Sequence, residues 1–309
     1  MKAALVFPGQ GSQTVGMGQA LAREFAAARE AFAAASAAAG FDLAALCFDG
    51  PTEKLALTEF TQPCVLTASV AAFRVLQSET GIAPAMAAGH SLGEYSALVA
   101  ASALPLAAAA LAVRRRGQWM QEAVPAGLGA MAAVMGLDPG RLSDLCREAA
   151  QGQVVVPAND NAPGQVVISG HAEAVDRVMA LCKVQGGKCR KLNVSGPFHT
   201  PLMEPAAVKM EALLAGLTFS SPAFPVFANC DAELHGGTAE IGPRLRRQIV
   251  NPVRWRETVQ RMADSGVELF IEVGPGTVLA GLITRTVPGA RVLPMNDPKH
   301  VDEIAKALA

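Results

Sequence analysis

A serine attacks a carbonyl only where its hydroxyl stands clear of the backbone and a base is ready to take its proton. Gly89-His90-Ser91-Leu92-Gly93 offers the first condition. It fits the Gly-x-Ser-x-Gly elbow, in which the serine sits on a sharp turn between a strand and a helix. The apolar run Ala85 to Ala88 precedes it, and Glu94-Tyr95-Ser96-Ala97-Leu98 opens a helix. Glycines on both sides allow a tight turn and a close approach of neighbouring backbone. The positive end of the helix would lie beside any oxyanion formed there. The pentapeptide alone is common in ordinary loops, and the strand-turn-helix setting is what makes Ser91 a candidate nucleophile.

Five histidines could supply the base. His90 is next to the serine and should point away from it. His171 begins a helix, while His235 and His300 fall in polar, loop-like stretches. His199 sits in Ser195-Gly196-Pro197-Phe198-His199-Thr200-Pro201, just after an expected strand. Two prolines and a glycine can hold such a loop, and a base on it, in one place. No aspartate is obviously placed as a third member, which a hydrolase triad would require between serine and histidine in chain order.

The elements that must carry these groups alternate short apolar runs with Ala-rich helical stretches, the pattern of an α/β fold. Strands are expected at Ala3–Phe7, 85–89 and 269–273, with a further one at 225–229, and helices at 20–39 and 62–80, the second starting near Pro63. Between them the pattern changes. Strands at 130–135, 154–158, 165–169 and 192–194, with helices at 141–151 and 172–185, suggest a compact insert of about 70 residues.

Composition narrows the classes. Charged residues are 17% of the 309 and balance to −1, which argues against nucleic acid as the main partner. Six scattered cysteines show no metal-like spacing, so free thiols in a reducing cytoplasm are expected, with no metal. The start, MKAALVF, reads as a first strand rather than a secretory signal. The apolar stretch from Ala97 to Val113 is mostly alanine and holds Pro105, so a buried helix is expected rather than a membrane span.

The residues also carry a family resemblance. Phe7-Pro8-Gly9-Gln10-Gly11-Ser12-Gln13, the block from Gly89 to Tyr95, and Arg116-Gly117-Gln118 with Met120 to Pro125 are three of its stretches. Asn161 to Val167, Gly196 to His199, Gln248 with Asn251 to Trp255, and Glu272 to Gly276 are the others. In this order along the whole chain, they resemble the malonyl-CoA:acyl carrier protein transacylases of type II fatty acid synthesis. The resemblance implies an α/β-hydrolase-like core with a parallel sheet, residues 1–125 and 198–309, and a small ferredoxin-like insert, 126–197.

It also implies roles. Ser91 would be the nucleophile, His199 the base, and the backbone carbonyl of Gln248 the group that orients the imidazole. The amides of Gln10 and Leu92 would form the oxyanion hole. Arg116, rather than Arg114 or Arg115, would bind the malonyl carboxylate bidentately; the plain alternative is that all three are a solvated helix end. Phe198 would oppose an α-methyl group, a difference worth only ~1–3 kcal/mol. No redox cofactor is implied beyond malonyl-CoA as substrate. The implied partner, acyl carrier protein, is acidic, so a local basic surface is expected at Lys183, Lys188, Arg190 and Lys191, or at Arg244, Arg246 and Arg247. A serine esterase or thioesterase, and the transacylase of a malonate decarboxylase or polyketide system, share the elbow and stay open at this point.

Overall fold

A computed structural model describes residues 1–194 and 196–308; Ser195, the first residue of the His199 loop, and Ala309 lie outside the described residues. The chain forms two four-stranded sheets. The first holds β1 (Ala3–Phe7), β2 (Met86–Gly89), β7 (Leu269–Val273) and β8 (Arg291–Met295), all parallel, in the order β2-β1-β7-β8. The second holds β3 (Gly129–Met135), β4 (Val155–Ala162), β5 (Gln165–His171) and β6 (Lys188–Lys191), antiparallel, in the order β4-β5-β3-β6.

Every residue of β1, β2 and β7 is buried, as expected of a parallel sheet covered on both faces by helices. The helices Thr58–Thr80 and Leu106–Glu122 pack against each other, and the first of them lies on β7 and β8. Phe7 pairs with Gly89, so the loops that leave β1 and β2 emerge side by side at the carboxyl ends of the strands. Open parallel sheets bind ligands in that crevice. The second sheet is tied through β4 to the segment that leads into the helix Trp255–Asp264: Asp160 N donates to Val253 O and Val253 N to Ala158 O, each 2.9 Å, and Arg256 grips Asp160 with bonds of 2.7 and 3.0 Å.

Several expectations shift in detail. The helix expected at 20–39 is two, Gln19–Glu24 and Ala26–Ala39, because Phe25 adopts an extended conformation. The helix expected from Pro63 begins at Thr58 and carries Pro63 inside it, at the cost of one backbone donor. The strand expected at 192–194 lies earlier, at Lys188–Lys191, where alternate residues can pair with β3. Residues 225–229 make only isolated bridges, Ala87 with Val226 and Phe227 with Leu234. The apolar stretch after Ala97 is broken between the helices Gly93–Ala100 and Leu106–Glu122. No single described helix is long and apolar enough to cross a membrane; one bent pair, Ala26–Ala39 with Leu43–Asp49, passes by length and composition only, and its apolar side chains pack in the core.

Candidate active site

Ser91 lies where β2 ends, with φ of 51°, a left-handed conformation that costs about 1–3 kcal/mol for a residue with a side chain. The flanking glycines make this turn possible. A Cβ on Gly89 would lie 1.9 Å from the carbonyl carbon of Gly93, and one on Gly93 would lie 2.1 Å from the Phe7 oxygen. The backbone of Ser91 is held from two sides: its N–H donates to Asn229 Oδ1 at 2.6 Å, and its carbonyl accepts from Gln248 Nε2 at 2.8 Å.

His199 meets the serine at 2.8 Å from Nε2 to Oγ. It too has positive φ, 60°, and is buried. Its Nδ1 donates to the backbone carbonyl of Gln248 at 2.9 Å, which leaves Nε2 as the acceptor facing Ser91. Burial lowers its pKa to about 3, with the Arg116 charge as the second cause, so the imidazole is neutral over the physiological range. That is the form a general base needs. The carbonyl fills the position where a triad carboxylate would stand.

Three consecutive arginines on one helix point in three directions, since each step turns about 100°. Arg114 donates to the Ala39 carbonyl and lies over the Phe41 ring, and Arg115 is exposed. Only Arg116 turns into the cleft, 1% exposed, so the solvated helix end does not describe it. Its Nη1 donates to Gln62 Oε1 at 2.8 Å; its Nη2 donates to Gln248 Oε1 at 2.8 Å and to Ser91 Oγ at 3.1 Å. Its Nε has no hydrogen-bond partner. Burial lowers the Arg116 pKa, and Tyr95 and Glu94 push it back up. Gly117 brings this helix close to its neighbour, where a Cβ would lie 2.5 Å from the Thr58 carbonyl oxygen.

The cleft above these groups is lined by Gln10, Leu92, Met120, Phe198, Val278 and, from the second sheet, Met131 and Asn159. Leu92 caps the helix Gly93–Ala100, so its amide is among those with no partner inside the helix. Gln10 anchors its side chain on Thr58 Oγ1 at 3.1 Å. His90 points away from the serine, as its position on the elbow implied, and meets Asn161 Oδ1 at 2.8 Å, tying the elbow to β4.

Some groups at this site were not foreseen. Glu94, Gln62 and Asn229 are buried and bonded to the reactive cluster. His235, expected in a polar loop, is instead buried against Glu94 at 3.1 Å. A charged residue and a glutamine inside otherwise apolar helical runs were the available signals. Lys188, Arg190 and Lys191 are exposed together on β6. Lys191 is paired with Asp176 at 2.9 Å. Arg244, Arg246 and Arg247 each hold a carboxylate, from Asp231, Glu240, Glu204 or Glu211, so that second group is neutralised.

Fold and cleft together have the character of an enzyme working on acyl groups. The family model of the acyl transferase domain matches residues 4–307, and the chain belongs to that family. Among curated relatives, the malonyl CoA-acyl carrier protein transacylase of Escherichia coli (strain K12) is 53% identical over 296 residues, 96% of each chain. The structure of the malonyl CoA-acyl carrier protein transacylase from Coxiella burnetii superposes with a TM-score of 0.98 at 45% identity, covering 100% of this chain and 98% of that one. A malonyl-transacylase in complex with a type II PKS acyl-carrier protein superposes at 0.97 with 46% identity, covering 99% and 100%.

Proposed function

We propose that the protein transfers a malonyl group from malonyl-CoA to the phosphopantetheine thiol of acyl carrier protein through an ester on Ser91. One observation carries the reading: a buried guanidinium donates to the same Oγ that the neutral imidazole contacts, at 3.1 and 2.8 Å. A serine hydrolase of neutral esters has no use for such a cation, whereas an acyl group ending in a carboxylate does. The relatives named above carry this activity in their names.

In this mechanism His199 Nε2 takes the proton from Ser91 as Oγ attacks the thioester carbon. The amides of Gln10 and Leu92 receive the oxyanion, and as it collapses the coenzyme A sulfur takes the proton from His199 and leaves as the thiol, which restores the neutral imidazole. The carrier thiol then gives its proton to His199, attacks the malonyl ester, and Ser91 takes the proton back as it leaves. The Gln248 carbonyl keeps the imidazole in one tautomer throughout. Gln62 and Arg116 receive the malonyl carboxylate, and Phe198 limits the space at its α-carbon.

The strand, elbow and helix around Ser91 support an α/β-hydrolase-like core of residues 1–125 and 198–309. The order β4-β5-β3-β6, with two helices packed among the strands, supports a ferredoxin-like insert at 126–197. A cytoplasmic setting fits six free cysteines. The relative in complex with a type II PKS acyl-carrier protein keeps a polyketide carrier as a second reading of the partner.

The test is where the acyl group goes. Malonyl-CoA and holo acyl carrier protein, resolved by mass spectrometry, should give malonyl-carrier in near-stoichiometric yield against coenzyme A released. Free malonate with unmodified carrier would make the protein a hydrolase instead.

A further inference from the structure

The block around Ser91 continues past the elbow glycine to Glu94, which the acyl-transfer chemistry above does not use. Its carboxylate is fully buried. Such a group must be compensated by hydrogen bonds or an opposite charge. Oε2 accepts from the Asn229 amide at 2.9 Å and from Gln248 Nε2 at 2.8 Å, and Oε1 meets His235 Nε2 at 3.1 Å. Among the described residues no lysine or arginine lies within ion-pair distance of it; its one such contact is His235. Arg116, equally buried, has only neutral acceptors.

One amide joins these two charges. Gln248 points its Nε2 at Glu94 and its Oε1 at Arg116 Nη2, both at 2.8 Å. Turned over, the same amide would set NH2 against the guanidinium and oxygen against both the carboxylate and the Ser91 carbonyl, three repulsive contacts between buried groups. Glu94 and the Ser91 carbonyl, which both accept from the same Nε2, together select one of the two orientations of Gln248. That orientation holds Nη2 of Arg116 toward Ser91, where an acyl carboxylate would be received. The imidazole depends on Gln248 differently, through the backbone carbonyl, which does not turn with the side chain.

We propose that Glu94 is a positioning residue for the acyl-carboxylate site: by fixing the side-chain amide of Gln248 it aims Arg116 at the acyl group on Ser91. The proposal rests on the reading of Arg116 as receiver of that carboxylate. Glu94 touches no substrate, and its effect is on the choice of acyl group rather than on the chemistry of the serine.

The experiment compares the rates at which malonyl-CoA and acetyl-CoA acylate Ser91, followed by rapid-quench intact mass. Glu94→Met removes the acceptor at similar length. The malonyl-to-acetyl rate ratio should fall at least about tenfold, the scale of a misplaced binding group. Glu94→Gln, whose amide oxygen can accept from the same two donors, should recover most of the ratio. In an Arg116→Ala background Glu94→Met should leave the ratio unchanged. Should Glu94→Met fail to fold, Gln248→Met removes the other half of the relay and should lower the ratio in the same way. Parallel loss with both substrates, no recovery with Glu94→Gln, or an equal fall of the ratio in the Arg116→Ala background would overturn the proposal. A wild-type enzyme that shows no malonyl preference, or keeps it in Arg116→Ala, would overturn the reading beneath it as well.

Discussion

Arg116 Nη2 lies 3.1 Å from Ser91 Oγ, so the cation and the nucleophile share one small space. An acyl group on Oγ must place its carboxylate within that reach. A malonyl ester has one methylene between ester and carboxylate, and a succinyl ester has two. Succinyl-CoA should therefore acylate Ser91 slower by roughly a hundredfold, the scale of a misplacement near 1 Å. Single-turnover acylation with the two thioesters checks this, and equal rates would mean the guanidinium does not gauge acyl length.

The same proximity sets a pH dependence. The Arg116 charge is the second cause, after burial, of the depressed His199 pKa of about 3. Removing a neighbouring cation makes the imidazolium easier to form, so Arg116→Ala should raise that pKa. A base is lost as pH falls through its pKa, so the acid limb of kcat/KM for acetyl-CoA should lie at higher pH in the variant. In the wild type the limb should stay well below 6.5, the ordinary histidine value. Superimposable profiles would remove Arg116 as a cause.

Gly117 is a packing prediction. A Cβ there would lie 2.5 Å from backbone, the Thr58 oxygen, which cannot swing aside as a side chain could. Gly117→Ala should cost about 1–3 kcal/mol by overpacking. By shifting Arg116 against Gln62 it should also raise KM for malonyl-CoA. Unchanged denaturant midpoint and KM would show that the two helices separate freely.

Much of this arrangement is legible in the amino-acid sequence. Ser91 and His199 could be named as candidates because their surroundings are local: glycines that permit a turn, prolines that fix a loop. Arg116 stood out from its two neighbouring arginines only through the family resemblance. The parallel strands were legible because β1, β2 and β7 are short apolar runs. What the sequence hid depends on contacts across long spans. Glu94 and Gln248 are 154 residues apart and meet at 2.8 Å, and nothing in either neighbourhood reveals the other. The missing triad acid also had no local answer, because a backbone carbonyl leaves no mark on residue type. β8 escaped notice because Arg291 and Pro294 interrupt its apolar pattern at the sheet edge.

The carrier surface gives a prediction that turns on charge. Lys188 and Arg190 are exposed on β6 without a carboxylate partner among the described residues, whereas Lys191 is held by Asp176. Charge reversal at Lys188 and Arg190 should raise KM for an acidic carrier several-fold and flatten its salt dependence. Acylation by malonyl-CoA should be unchanged in the same proteins. Unaltered carrier kinetics would move the docking surface elsewhere.

The central claim is that Ser91 accepts an acyl group whose carboxylate Arg116 holds. The most direct measurement is the intact mass of wild type, Ser91→Ala and Arg116→Ala after brief exposure to malonyl-CoA or acetyl-CoA. A malonyl adduct is expected on the wild type and none on Ser91→Ala, with about a hundredfold slower malonyl acylation of Arg116→Ala and acetyl acylation reduced far less. A malonyl adduct that forms on Ser91→Ala, or at the wild-type rate on Arg116→Ala, would contradict it.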